Sequence, residues 1–154
     1  MKVEIGIKLW YYLVKELKYK GKGYRESGAF LLGENNYKIS DFICYDELDK
    51  NCLYQGAINF SSSGYVRLWD YCRNKNLQVI ADVHTHPGNY TNQSIIDSAN
   101  PMIPQIGHIA LIIPCFAQKR IQLLNGVGVF EYLGNNKWNS FKKPSNKIKI
   151  TLYG

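Results

Sequence analysis

The chain has 154 residues, 45% hydrophobic and 14% aromatic, which suits one compact domain with a substantial core; at 20% charged it is no disordered polymer. A net charge of +7 invites a nucleic-acid reading, yet no helix-turn-helix or zinc-finger pattern accompanies it. The four cysteines, at 44, 52, 72 and 115, lack CxxC spacing, which speaks against a disulfide framework or a thiolate zinc site and fits free thiols in a reducing cytoplasm. The stretch to Tyr19 is broken by Lys8, Lys15, Glu16 and Lys18, unlike a secretory signal, and no apolar run has the length of a membrane span. A cytoplasmic protein without a membrane partner is the expectation.

Ile7, Trp10, Tyr11, Val14 and Leu17 recur at helical spacing and predict an amphipathic helix that ends before Gly21-Lys22-Gly23. Ser27 to Gly33 is a short apolar run suited to a buried strand, Glu34-Asn35-Asn36 a turn, and Tyr37 to Tyr45 the hairpin partner. Residues 46–63 are polar and irregular, closing in Ser61-Ser62-Ser63-Gly64, which can cap a helix. That second helix carries Tyr65, Leu68, Trp69 and Cys72 on one face and stops at Asn74 to Asn76. Leu77 to Val83 is a strand rich in β-branched residues; Ile109 to Ile113, stopped by Pro114, is another. Ile121 to Leu124 and Gly126 to Leu133 read as two more, and Gly134-Asn135-Asn136 followed by Lys137 to Phe141 as a further hairpin. This order defines a mixed α/β (α+β) class without internal repeats.

Basic residues gather at Lys15, Lys18, Lys20, Lys22 and Arg25, and again at Lys142, Lys143, Lys147 and Lys149. Neither stretch reads as an aromatic-interleaved platform for single strands, so a solvated face or a docking surface for an acidic protein is expected, and nucleic acid is not.

The chemistry lies in Asp82-Val-His84-Thr-His86-Pro-Gly-Asn-Tyr-Thr-Asn-Gln-Ser94-Ile-Ile-Asp97. Histidines at i and i+2 on a strand point to one face, so His84 and His86 can reach the same ion, and the Pro87-Gly88 break turns the chain back. Ser94 and Asp97, three apart on a helical turn, can be presented to the same spot. Two imidazoles and one carboxylate leave a tetrahedral zinc one open position, the composition of a catalytic rather than a structural site. Hydrolysis also needs a base, and Glu26 is the candidate, placed before an apolar strand among the small residues Ser27, Gly28 and Ala29. Ser94 can donate its hydroxyl to an oxyanion. His108 reads as a core or strand-end histidine. Asp82 shares the parity of His84 only without an intervening bulge, and is set aside as facing away from the metal.

Other HxH metalloproteins fit less well. An HxHxDH site needs Asp and His where Gly88 and Asn89 stand, and a barrel amidohydrolase needs more histidines than the remaining His108. A cupin, using His84, His86, a Glu and His108, is the most serious competitor, against which the two helices count.

These residues resemble the JAMM motif of the JAB/MPN metalloprotease family, in which an upstream Glu is followed by HxH, ten residues and Asp. Glu26 opens Glu-Ser-Gly-Ala-Phe-Leu-Leu-Gly33, His84-Thr-His86-Pro-Gly88 matches the metal loop, and Ser94 and Asp97 fall at the family's positions. The resemblance covers roughly residues 5 to 140. It implies one domain over 1–154, with an MPN/JAB-like, cytidine-deaminase-like mixed sheet flanked by helices. It also implies one Zn2+ held by His84, His86 and Asp97, with Glu26 as acid/base and Ser94 stabilising the oxyanion. The small size is similar to prokaryotic JAB proteins associated with ubiquitin-like conjugation in antiviral defence. The implied activity is cleavage after the C-terminal glycine of a ubiquitin-like protein, in precursor processing or deconjugation, with that protein, its conjugates and cognate activating or conjugating enzymes as partners. A non-catalytic MPN-type binding module and a nucleic-acid-associated basic protein are the alternatives.

Overall fold

The periodic apolar stripe near the N-terminus forms a helix in the computed structural model, which describes residues 2–54 and 56–153. Helix α1 (Ile7–Gly21) buries Trp10, Leu13, Val14 and Leu17, and ends at Lys22 in the left-handed conformation. Tyr11, expected in the stripe, is instead exposed, because the buried face is centred one position away and Leu13 completes it. The outer face of α1 carries exposed Tyr11, Tyr12 and Tyr19 among Lys8, Lys15 and Lys18. Aromatic rings therefore do stand among the lysines here, contrary to the expectation from the sequence.

The centre of the molecule is a six-stranded sheet of order β4-β2-β5-β6-β7-β8. Its strands are β2 (Gly28–Gly33), β4 (Asp41–Cys44), β5 (Gln78–Thr85), β6 (Ile109–Ile113), β7 (Gly128–Gly134) and β8 (Lys137–Ser140). All neighbours are antiparallel except β5 and β6, which run parallel. Every residue of β2 and β6 is buried, as continuous apolar runs covered on both faces require. Ala29, Leu31, Ala81, Val83, Leu111 and Ile113 face α1. Phe30 and Leu32 face the opposite layer with α2 (Tyr45–Leu48) and α3 (Ser62–Lys75).

Ser61 caps α3, its side chain accepting the Gly64 N–H, and Leu68 and Cys72 enter the core. Trp69 is exposed and stacks on Tyr65 rather than joining that core. The polar segment 46–63 contains most of α2, which the sequence reading leaves irregular.

Three strands escape the sequence reading or change partners. Strand β1 (Val3–Gly6) precedes α1 without a turn, and β9 (Ile148–Thr151) lies inside the basic C-terminal stretch. With β3 (Lys38–Ile39) they form a separate parallel sheet of order β3-β1-β9. The predicted strand from Ile121 to Leu124 does not form. Instead the Gln122 carbonyl accepts the Trp10 indole N–H at 2.7 Å, so the segment is pinned to α1 by a side chain and not by a ladder. Among the described residues no helix is long and apolar enough to cross a membrane.

Candidate metal centre

Strand parity builds the site. Gly28 lies opposite His84, and Phe30 opposite Asp82, in an unbroken antiparallel register; the irregularity in this pair falls farther along, at Leu31/Leu32. Asp82, His84 and His86 therefore share one face of the sheet, while Ala81 and Val83 enter the core under α1. The edge next to Glu26 is locked by reciprocal bonds: the Ser27 N–H donates to Thr85 Oγ1 and the Thr85 N–H to the Ser27 carbonyl, both at 3.0 Å. This pairing sets Glu26 beside the two histidines.

The loop after His86 is latched from the end of β6. Cys115, Phe116 and Ala117 hold φ of 57°, 53° and 59°, a left-handed run unusual for residues with a Cβ. In that conformation the Cys115 N–H donates to the Gly88 carbonyl at 3.0 Å and the Phe116 N–H to the His86 carbonyl at 2.8 Å. The loop then returns into the short helix α4 (Ile95–Ala99), capped by Ser94, which carries Asp97 to the histidines.

His84 Nε2 and His86 Nε2 are 3.0 Å apart, and Asp97 Oδ2 lies 3.4 Å from the first and 3.2 Å from the second. Ligand atoms about 2.0–2.1 Å from a tetrahedral zinc stand about 3.3 Å from one another, so the trio fits such an ion. His86 Nδ1 lies 3.0 Å from the Tyr90 carbonyl, which can only accept, so this nitrogen carries the proton and Nε2 keeps its lone pair for a metal.

The electrostatics agree with the geometry. Burial alone would raise the Asp97 carboxyl, but bonds from His84 and His86 outweigh it and hold the group well below the usual carboxylate range. The Asp97 carboxylate in turn raises His86 above its ordinary value against the opposing effect of burial. Glu26 is raised by burial, with His84 and His86 pulling the other way. A carboxyl partly withdrawn from water beside a cationic centre is suited to holding and releasing a proton.

All five residues singled out from the sequence, Glu26, His84, His86, Ser94 and Asp97, line one cleft of about 1020 Å³. Ser94 Oγ accepts the Asp97 N–H, which leaves its own hydroxyl hydrogen available to a group in the cleft. Two further residues of the cleft were not assigned to it from the sequence. Asp82 also lines the cleft and meets His108 Nε2 at 2.9 Å, both side chains almost fully buried. Asp82 thus faces the site side and does not turn away; the signal was its parity with His84, decisive once the bulge lay elsewhere. The other is Tyr45, buried against the same cleft, for which no sequence pattern points to the site.

No family model matches the sequence. The fold does match solved structures. It is similar to the solution structure of protein DSY2949 from Desulfitobacterium hafniense over 97% of this chain and 92% of that one, with a TM-score of 0.65 and 13% identity. A crystal structure of AF2198, a JAB1/MPN domain protein from Archaeoglobus fulgidus, aligns over 96% of this chain and 98% of its own, with a TM-score of 0.51 and 15% identity. A solution structure of a protein from Salinibacter ruber covers 92% of this chain and 89% of its own, with a TM-score of 0.53 and 14% identity. The chain therefore has a JAB/MPN-like fold, a mixed sheet flanked by helices, carrying a His-His-Asp group of metal-binding geometry. At such identities the likeness concerns the fold alone.

Proposed function

We propose that this protein is a zinc-dependent metallo-(iso)peptidase of the JAMM kind, cleaving after the C-terminal glycine of a ubiquitin-like protein in precursor processing or deconjugation. The observation that carries the reading is the convergence of Glu26 with His84, His86 and Asp97 in one cleft. A zinc ion held by the last three supplies Lewis acidity toward water and an amide carbonyl. Glu26, with its carboxyl raised by burial, takes a proton from the attacking water and returns it to the leaving amine. The Ser94 hydroxyl donates to the oxyanion that forms on the scissile carbonyl. The substrate tail lies extended along a strand edge, where only a small residue passes beside the centre. The setting we assign is cytoplasmic, in a bacterial-type ubiquitin-like conjugation or antiviral defence system with cognate activating or conjugating enzymes.

The test is zinc content together with cleavage of a ubiquitin-like fusion by wild type, Glu26→Gln and Asp97→Ala. Wild type should bind one zinc and cleave; Glu26→Gln should keep zinc and lose cleavage; Asp97→Ala should lose both. A wild type that holds zinc yet cleaves no ubiquitin-like partner encoded beside it would leave a non-catalytic binding module as the better reading.

A second reading rests on α1. Its exposed Lys8, Lys15 and Lys18 with Tyr11, Tyr12 and Tyr19 suit a polyanion, and the face lies on the opposite side of the sheet from the cleft. Salt-dependent retention of short single-stranded DNA or RNA, lost in Lys15→Glu/Lys18→Glu, would support it.

A further inference from the structure

One polar group in the cleft has no role in the chemistry above. Tyr45 is only 1% exposed, and its hydroxyl makes no hydrogen bond to any described residue. A buried donor left in that state costs free energy, because its bonds to water are lost without replacement. The side chain has no freedom to turn away. Its ring packs on Phe30 and Phe60, with centroids 4.8 and 5.5 Å apart, and lies over Gly28, where an added Cβ would come within 2.3 Å of it. Gly28 is the cross-strand partner of His84, so the phenol is fixed next to the metal ligands.

The surroundings define what the hydroxyl can bind. Burial first, and then Asp82 and the other groups around it, push the phenol well above its ordinary pKa, so it remains a protonated donor. Asp82 is engaged with His108, and the neighbouring Tyr65 hydroxyl already donates to the Met102 carbonyl at 2.6 Å. Neither satisfies Tyr45. An acceptor entering the cleft would.

We propose that Tyr45 is a substrate-binding residue whose hydroxyl donates to a backbone carbonyl oxygen of the peptide lying in the cleft, within one or two residues of the scissile bond. The aromatic wall of Phe60 and Tyr65 excludes water from that bond and makes it stronger than at an open surface. This rests on the peptidase reading, since a peptide offers a carbonyl at every residue. The contact positions the amide and raises affinity without taking part in proton transfer.

The test uses zinc-loaded wild type and Tyr45→Phe with two metal-anchored probes. Acetohydroxamate is too short to pass the metal, whereas acetyl-glycyl-glycine hydroxamate lays a peptide in the cleft. Tyr45→Phe should bind zinc and acetohydroxamate like wild type, and bind the peptide hydroxamate about tenfold more weakly, the factor carried by one net hydrogen bond. Its urea midpoint without ligand should equal or exceed that of wild type, because the lost hydroxyl bonds nothing in the free fold. Equal affinity for the peptide hydroxamate, or a lowered midpoint that reveals a structural use for the hydroxyl, overturns the proposal while the metal centre stands. Failure of wild type to bind acetohydroxamate overturns the metallopeptidase reading and this proposal with it.

Discussion

Ser94 and Asp97 hold each other: the Ser94 N–H donates to Asp97 Oδ2, and the Asp97 N–H donates to Ser94 Oγ, each at 3.0 Å. The same Oδ2 faces both histidines, so the cap of a five-residue helix also aims a metal ligand. A helix so short has little stability of its own, and the reciprocal cap is what fixes its first turn. Replacing Ser94 by Ala should cost about 1 kcal/mol of stability through the lost cap. It should also weaken zinc binding about tenfold, because the Asp97 N–H loses its acceptor and the turn that aims the carboxylate loosens, although the Ser94 backbone N–H still reaches Oδ2. A competition titration with a chromophoric chelator measures the second effect, and unchanged zinc affinity would separate the cap from the metal site.

The metal-free protein should depend on pH through the His86–Asp97 pair. His86 is raised from 6.5, so its contribution to stability is fully present below 6.5 and is lost as pH rises through the raised value. Asp97 is held below 3.8, so its contribution is present above 3.8 and is lost as pH falls through the depressed value. The pair thus stabilises the apo fold most between these limits. Urea midpoints of metal-free wild type, compared with His86→Asn, should differ most near pH 5 and converge above neutrality. Zinc affinity should run the other way and rise with pH as His86 loses its proton.

Gly28 should tolerate no side chain. A Cβ there would stand 2.3 Å from the Tyr45 ring and 2.7 Å from the Val83 carbonyl, and the latter belongs to the backbone and cannot swing aside. Gly28→Ala should destabilise the fold by about 1–3 kcal/mol, the usual range for an overfilled core. Because the strain falls opposite His84, zinc affinity should drop as well, whereas Gly88→Ala, which meets nothing within 4 Å, should leave the fold unchanged. Paired denaturation curves and zinc titrations check both.

The Asp82–His108 pair predicts a large structural cost with the metal ligands untouched. Its 2.9 Å contact is nearly sealed from water, so His108→Ala leaves a buried carboxylate without its partner. A loss of about 3–5 kcal/mol is expected. The double variant Asp82→Leu/His108→Leu should recover most of it, because an apolar replacement leaves no orphaned charge. Chemical denaturation of the three proteins, with zinc stoichiometry measured at low temperature, gives the comparison.

Much of this was present in the linear order of residues. Trp10, Val14 and Leu17 fixed the face of α1, the alternation through Val83, His84, Thr85 and His86 put two imidazoles on one side, and the resemblance to the JAMM motif pointed to Asp97. The first two features are local, set by the 3.6 and 2.0 periods of helix and strand, and a sequence states them directly. The strands β1 and β9 were not legible, because four-residue strands have weak patterns and these two form only by pairing across the chain, β1 lying between β9 and β3. The segment at Ile121 carried an apolar signal, but the Trp10 indole claimed the Gln122 carbonyl and no ladder formed.

The types of the candidate metal ligands and their spacing were thus determined by the sequence itself. Only the tertiary structure decided the rest of the cleft: that Asp82 turns inward beside His108, and that Tyr45 is pressed over Gly28 with its hydroxyl unbonded. The physical reason is range. A ligand pattern is written within one strand and one loop, whereas the burial and pairing of Tyr45, Asp82 and His108 depend on segments that meet only when the sheet closes.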